Sequence, residues 1–385
     1  MRSGRYGAQA AFPLRPLNAS RRGAARRLPQ HARHAPMRPM HVLLAGHDGY
    51  VGTVLAPLLR QAGHTVVGLD AGLFSACAFG DAAPGPDSAR TRDVRDATAD
   101  DLDGFDAVVH LANLSNDPLG NLSPGLTHAV NAEASVRLGA LAREAGVGRF
   151  VFASSCSLYG AAGQDAVTET ADFHPVTPYG QAKVDAEAGL AALASDAFSP
   201  VFMRNATVYG VSPRLRFDLV VNNLTAWAVA TGAIRMLSDG TPWRPLVHVE
   251  DVSTAVVAAL AAPREAVHNE AFNVGRAGEN YQVRDVARIV GEEVPGCAVT
   301  FADGASPDAR SYQVSFGKIG RHLPDWAPRW TVRDGVRELR DALTGLGLTP
   351  DVFEGPRYSR IARITEMLAA GEITPDLRRA LALTA

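Results

Sequence analysis

Short, nearly continuous apolar runs alternate along this chain with longer stretches of helical character. His41–Ala45 is the first run, ended by a glycine, as expected of a strand buried on both faces. A helix is expected from about Thr53 to Gln61, then a second strand over Thr65–Leu69. A short extended piece precedes Asp93, and Ala107–Ala112 reads as the fourth strand. Then come a helix over about Leu126–Ala145, a fifth strand over Arg149–Ala153 and a helix opening at Pro178 and running to Ala194. Strand-like runs follow at Val201–Arg204 and Leu246–Val249, with a helix over Asp218–Thr231 between them. This alternation predicts an α/β protein built on a parallel sheet.

The chemistry sits where polar residues interrupt the pattern. Between the first strand and its helix stands Gly46-His47-Asp48-Gly49-Tyr50-Val51-Gly52. Gly46 permits the tight turn, Gly49 lets the backbone approach a pyrophosphate, and Gly52 allows the helix to pack on the sheet. The helix N-terminus then suits the phosphates. Asp70 ends the second strand about 20 residues on, where a carboxylate accepts from ribose hydroxyls and repels a 2′-phosphate. Asp93 has two readings, an acceptor for the adenine amino group or a helix cap. The polar loop Asn113-Leu114-Ser115 follows the fourth strand, at the end of a parallel sheet where ligands collect. Asn131, among apolar neighbours, either ties its helix to the sheet or holds a water in a proton path.

Tyr179 and Lys183 lie one helical turn apart on one face. Lowering a phenol from near ~10 to about 7 takes roughly 4 kcal/mol. An ammonium ~4 Å away supplies about that at an effective dielectric of ~20. The pair can therefore make a phenolate usable as an acid or base near neutral pH. Ser154-Ser155-Cys156-Ser157 follows the fifth strand and reads either as a turn or as a hydroxyl presented to the same reacting oxygen.

Composition narrows the class. With 385 residues, 46% hydrophobic and 20% charged, the chain can bury a large core in one large or two smaller domains. A formal net charge of -2 gives no signature of nucleic-acid or membrane binding, and no apolar run approaches a membrane span. Three well-separated cysteines (Cys77, Cys156, Cys297) point to a reducing cytosol, without disulfides or a cysteine metal site; no metal is expected. The first forty residues are rich in arginine and lack acidic residues. They read as a disordered extension or a misplaced start, with Met37 or Met40 as the true one; a targeting peptide is the alternative.

Gly46, Gly49, Gly52, Asp70, Ser155, Tyr179 and Lys183, in this order on these elements, resemble the extended short-chain dehydrogenase/reductase family. The narrower likeness, over roughly residues 41–340, is to its NAD-dependent nucleotide-sugar epimerase/dehydratase branch. The resemblance implies a doubly wound parallel sheet (Rossmann) with a smaller C-terminal substrate domain. The expected organisation is a basic extension over 1–39, an NAD-binding domain over 40–210 with a later return at about 245–275, a substrate-binding portion over 211–345, and a helical extension over 346–385.

The resemblance also implies roles. Tyr179 is the acid/base, Lys183 lowers its pKa and holds the nicotinamide ribose, and Ser155, four residues before Tyr159-Gly160, steadies the reacting oxygen. Gly46, Gly49, Gly52, Asp70, Asp93, Ala112 and Lys183 form the NAD set. Ser115, Asn205, Arg244 and Arg310 form the substrate set, the arginines clamping a diphosphate. Two departures stand out. Cys156 and Ser157 replace the Asp-Glu pair that drives 4,6-dehydration in relatives, which favours 4-epimerisation or ketone reduction. Thr207 replaces a phosphate-binding Asn, for which Asn205 is the substitute. The C-terminal segment from about Thr349 is expected to pack its helices back on the substrate domain. Expected overall is a cytoplasmic homodimer, paired through the helices near Leu126 and Tyr179, that epimerises a nucleotide sugar. A keto-sugar reductase and a non-catalytic dinucleotide binder are the alternatives.

Overall fold

The computed structural model describes residues 38–80, 84–115, 123–161, 165–301 and 310–380. The arginine-rich stretch up to residue 37 and part of the loop after Ser115 lie outside the described residues.

Seven parallel strands form the main sheet: β1 (His41–Ala45), β2 (Thr65–Asp70), β3 (Ser88–Thr91), β4 (Ala107–His110), β5 (Arg149–Ser155), β6 (Ser199–Asn205) and β7 (Glu270–Val274). Their order is β7-β6-β5-β4-β1-β2-β3. The chain winds outward from β1 to β3, then returns to start β4 beside β1. That reversal opens a crevice at the carboxyl ends of β1 and β4. Val42 to Ala45 are fully buried, because helices cover both faces of the sheet. On one face Leu55, Ala56 and Leu59 of the helix Gly52–Gln61 meet Val252, Ala255 and Val256 of Val249–Ala261. On the other, Leu138 and Ala142 of Ala134–Glu144 pack with Ala186 and Leu190 of Pro178–Ala191.

The expected strand around Leu246 exists but belongs elsewhere. Trp243–His248 pairs with Thr207–Tyr209 and Asn280–Gln282 in a separate three-stranded sheet. The helix expected from Asp218 starts at Val220, because the Asp218 carboxylate is taken by Arg216 (2.8 Å). Helices Val220–Thr231, Val283–Glu293 and Val332–Leu343 share a second core.

The C-terminal segment divides between the two halves. Phe353 and Tyr358 join the second core, against Phe217 and Trp227. The helix Arg360–Ala369 and the tail after it do not. Ile364, Met367, Ile373 and Leu377 bury themselves against Leu73, Phe74, Leu114 and Val130, around the ends of β2 and β4.

One polar lock crosses the core. Glu187, on the helix that carries Tyr179 and Lys183, receives Arg204 of β6 in a forked pair (Nη2–Oε2 2.7 Å, Nε–Oε1 3.0 Å). Arg204 also donates to the Tyr159 hydroxyl (3.0 Å), which donates to Asn273 of β7 (2.7 Å). Burial alone would pull the Arg204 guanidinium down; the Glu187 carboxylate more than reverses that and raises it. Removing one partner strands a buried charge. Glu187→Ala should therefore cost about 3–5 kcal/mol, read as a lower urea midpoint with an unchanged slope.

Candidate active site

At the carboxyl ends of the strands lies one cleft of about 440 Å³. The glycine turn forms its floor. Gly46 has φ +88°, and a Cβ there would come within 2.7 Å of the Ala112 backbone nitrogen at the end of β4. A Cβ on Gly52 would lie 2.2 Å from the Gly46 carbonyl. Gly52 is thus required by the turn itself, rather than by packing on the sheet as its position suggested. Gly49 faces the cleft.

Asp70 closes β2 and accepts from the backbone N–H of Gly72 (2.7 Å) and of Asp48 (3.3 Å). Burial raises its carboxyl above the ordinary range, against the pull of the Gly72 N–H. Asp93 takes the capping role of its two readings. Its carboxylate accepts from the Arg95 backbone N–H (2.8 Å) and pairs with the Arg95 guanidinium (2.6 Å), while still lining the cleft. Burial pushes Asp93 up, but Arg95 wins and holds it below the usual range. Asn131 likewise resolves to a structural role. It sits in a π-turn, Ala129–Glu133, with its amide spent on the Leu114 backbone (2.8 and 2.9 Å), so it fixes the loop after β4.

Ser155, Tyr179 and Lys183 come together on the cleft wall. Ser155 ends β5, donates to Ser157 Oγ (3.0 Å) and accepts from the Ser157 N–H (3.1 Å). Ser154 and Ser157 also line the cleft, and Ser154 Oγ is buried without a partner among the described residues. Thr177 caps the helix Pro178–Ala191, which places Tyr179 in its first turn. Lys183 Nζ lies 5.7 Å from the Tyr179 ring centre and donates to Ala153 O (2.5 Å) and to Asn113 Oδ1. Burial lowers its ammonium to about 7, with Glu187 opposing. The lysine's charge at neutrality is therefore conditional, where the spacing alone suggested a permanent cation.

The substrate set lines the same cleft. Asn205 ends β6, and its Oδ1 is buried without a described partner; Thr207 stands beside it. Arg244 is buried and donates to Trp243 O (2.8 Å) and to Arg310 O, which brings the two arginines together. Ser115 is exposed and accepts from Arg216 (2.8 Å). Sequence reasoning missed Arg216 and Asp218, since nothing in Arg216-Phe217-Asp218 marks it from a surface pair. It also missed Asn113 as the partner of Lys183, although the loop itself was visible. Cys156 points away into the core and donates to Arg204 O (3.1 Å); burial raises its thiol.

The arrangement fits a dinucleotide: a turn that excludes side chains, a carboxylate at the end of β2, and cleft-lining residues, Ser154 and Asn205, with a buried polar atom unpartnered among the described residues. Fold and site together define a dinucleotide-binding α/β enzyme with a serine, a tyrosine and a lysine lining its cleft. Residues 42–275 match the model of the NAD dependent epimerase/dehydratase family, and the chain belongs to that family. It is 30% identical over 311 residues to the UDP-glucose 4-epimerase of Corynebacterium glutamicum, covering 76% of this chain and 92% of that one. It is 27% identical over 322 residues to the uncharacterized UDP-glucose epimerase YtcB of Bacillus subtilis, covering 77% and 96%. Among solved structures it resembles MoeE5 in complex with UDP-glucose and NAD, with a TM-score of 0.67, 27% identity and 78% and 98% coverage. Its cofactor is NAD.

Lys183 gives a test of the site's electrostatics. Unfolded, it titrates near 10.5; folded, near 7. Between these values the unfolded chain holds a proton that the native chain lacks, so its contribution to stability rises with pH across that window. Urea unfolding of the cofactor-free protein from pH 6.5 to 10 should show wild type gaining on Lys183→Met by up to about 4 kcal/mol.

Proposed function

We propose that this enzyme epimerises a nucleotide-linked sugar at a ring hydroxyl, most simply at C4. The observation that carries the reading is that Tyr179, Lys183 and Ser155 line one cleft with the glycine turn, together with Arg244, Arg310 and Asn205, the last directly beside Ser155 on the neighbouring strand. NAD, held by Gly46, Gly49, Gly52, Asp70 and Ala112, supplies a hydride acceptor that can return what it takes. Asp93 stands at the same end through its cap. Tyr179 removes the proton of the sugar hydroxyl as that carbon is oxidised, and returns it when the keto-sugar is reduced on its other face. Ser155 holds the reacting oxygen and steadies its charge. Lys183, in its protonated form, favours the phenolate and donates to the nicotinamide ribose. Arg244, Arg310 and Asn205 hold the sugar's diphosphate, with Ser115 near the sugar.

Two features support epimerisation over 4,6-dehydration. Cys156 is turned into the core, and Ser157 is a hydroxyl, so neither offers a carboxylate for water elimination. The relatives described above that carry an activity in their names are epimerases. We extend the reading to a cytoplasmic homodimer paired through the helices that begin near Leu126 and Tyr179; sedimentation in solution tests the dimer.

Tyr179→Phe should lower turnover about 10²–10⁴-fold while leaving NAD affinity nearly intact. The assay is a panel of nucleotide sugars with products followed by NMR. Unchanged turnover would reject the assignment, and stoichiometric consumption of added NADH would replace epimerase by reductase.

A further inference from the structure

The C-terminal segment reaches the cofactor end of the cleft. Arg360 and Leu377 line the same cleft as Gly46, Gly49 and Asp70. Arg360 is only 3% exposed, lies 4.5 Å from the Phe74 ring and donates through Nη2 to Arg214 O (3.1 Å). Its Nη1 is buried with no partner among the described residues. Arg214 in turn pairs with Asp48 of the glycine turn (2.5 Å). Arg360 therefore lines the cleft beside the Cys77 thiol and the Arg214 backbone, one residue removed from Asp48 of the glycine turn, with Nη1 unpartnered among the described residues.

Leu377 is a second, independent sign. It is 5% exposed and holds φ +58°, a left-handed conformation that a leucine adopts at a cost. The neighbouring contacts keep it there. Arg379 donates to Gly72 O (2.6 Å) and Ala71 O (3.2 Å), Arg95 donates to Asp376 O (2.8 Å), and Arg378 pairs with Asp96. The tail is thus fastened to the loop after Asp70 and to the turn that begins at Asp93. Leu377 is pressed against Leu73, Phe74, Leu114 and Val130 at the cleft's apolar end.

We propose that the C-terminal segment completes the NAD site, with Arg360 pairing with the cofactor's diphosphate and Leu377 covering its adenosine half, so that the segment itself slows the release of NAD. An anion there resolves the electrostatics of Arg360. Burial and the nearby Arg216 together pull its guanidinium down to about 10, and a phosphate oxygen offsets both effects. The inference rests on the family's use of NAD and not on the sugar chemistry.

The experiment measures NAD directly. Wild type, Arg360→Ala and Arg379→Ala are purified, bound NAD is released by acid and counted, and labelled NAD is chased with excess unlabelled NAD. Wild type should retain NAD through purification and exchange it slowly. Both variants should exchange it faster, by about tenfold or more for Arg360→Ala. Arg379 is largely exposed, so its variant reports on the tail fastening if Arg360→Ala lowers the melting temperature of the cofactor-free protein. Wild-type exchange rates in both variants, or complete exchange by wild type within a single turnover, would overturn the proposal. Slow NAD exchange in a protein that converts no nucleotide sugar would sink the epimerase reading alone. Epimerisation with unaltered exchange in the variants would sink this one alone.

Discussion

The forked pair between Glu187 and Arg204 is the constraint on which the placement of Tyr179 and Lys183 depends. One partner lies on the helix that bears the phenol and the amine, the other on the strand next to the one that ends in the serines. A helix docked only by alanines and leucines can slide by a fraction of a turn at little cost, because such packing is adaptable. A buried carboxylate and guanidinium do not tolerate that, since any slip leaves a charge without its partner in a poor solvent. Together with the Lys183 bond to Ala153 O on β5, the lock holds the helix in register against the strands that end in Ser155 and Asn205. Tyr159 and Asn273 extend the same chain of bonds to the sheet's outermost strand on that side.

The cleft collects cations in a way that only its ligands make economical. Arg216 is matched by Asp218 within the protein, and Asp93 by Arg95. Arg360 lines the cleft with one buried donor unpartnered among the described residues, and Lys183 gives up part of its basicity to burial. A nucleotide sugar and a dinucleotide each bring a diphosphate. The empty protein holds the complementary charge in position beforehand, which is how binding sites limit reorganisation when the ligand arrives.

Much of this was legible in the residues. Continuous apolar runs marked the parallel strands because burial on both faces leaves no polar side to alternate with. The glycine turn was visible because a backbone in contact with Ala112 and a carbonyl 2.2 Å from a would-be Cβ admit nothing larger. Tyr179 and Lys183 were visible because their spacing is set by one helical turn. What was not legible depended on distance in the chain. The strand Trp243–His248 looked like a member of the main sheet, since its hydrophobicity does not say which edge it joins. Lys183 looked permanently charged, since burial is not written in spacing. The C-terminal helix looked like a substrate-side element. Its apolar residues were found, but the partners they bury against, Leu73, Leu114 and Val130, lie more than two hundred residues earlier.

The return of β7 bears on how the protein can be cut. Its five residues lie beyond the whole insertion that carries Arg244, yet they seal the outer edge of β6 along Val201 to Asn205. A fragment stopped at the end of β6 would keep the glycine turn, the serines, the tyrosine and the lysine. It would also leave a bare row of amide and carbonyl groups, remove Asn273 from the Tyr159 hydroxyl, and strip away the helix Val249–Ala261 that shields the sheet face behind them. The main sheet is thus completed by residues on both sides of that insertion, and a cut after β6 does not release it as a free-standing module.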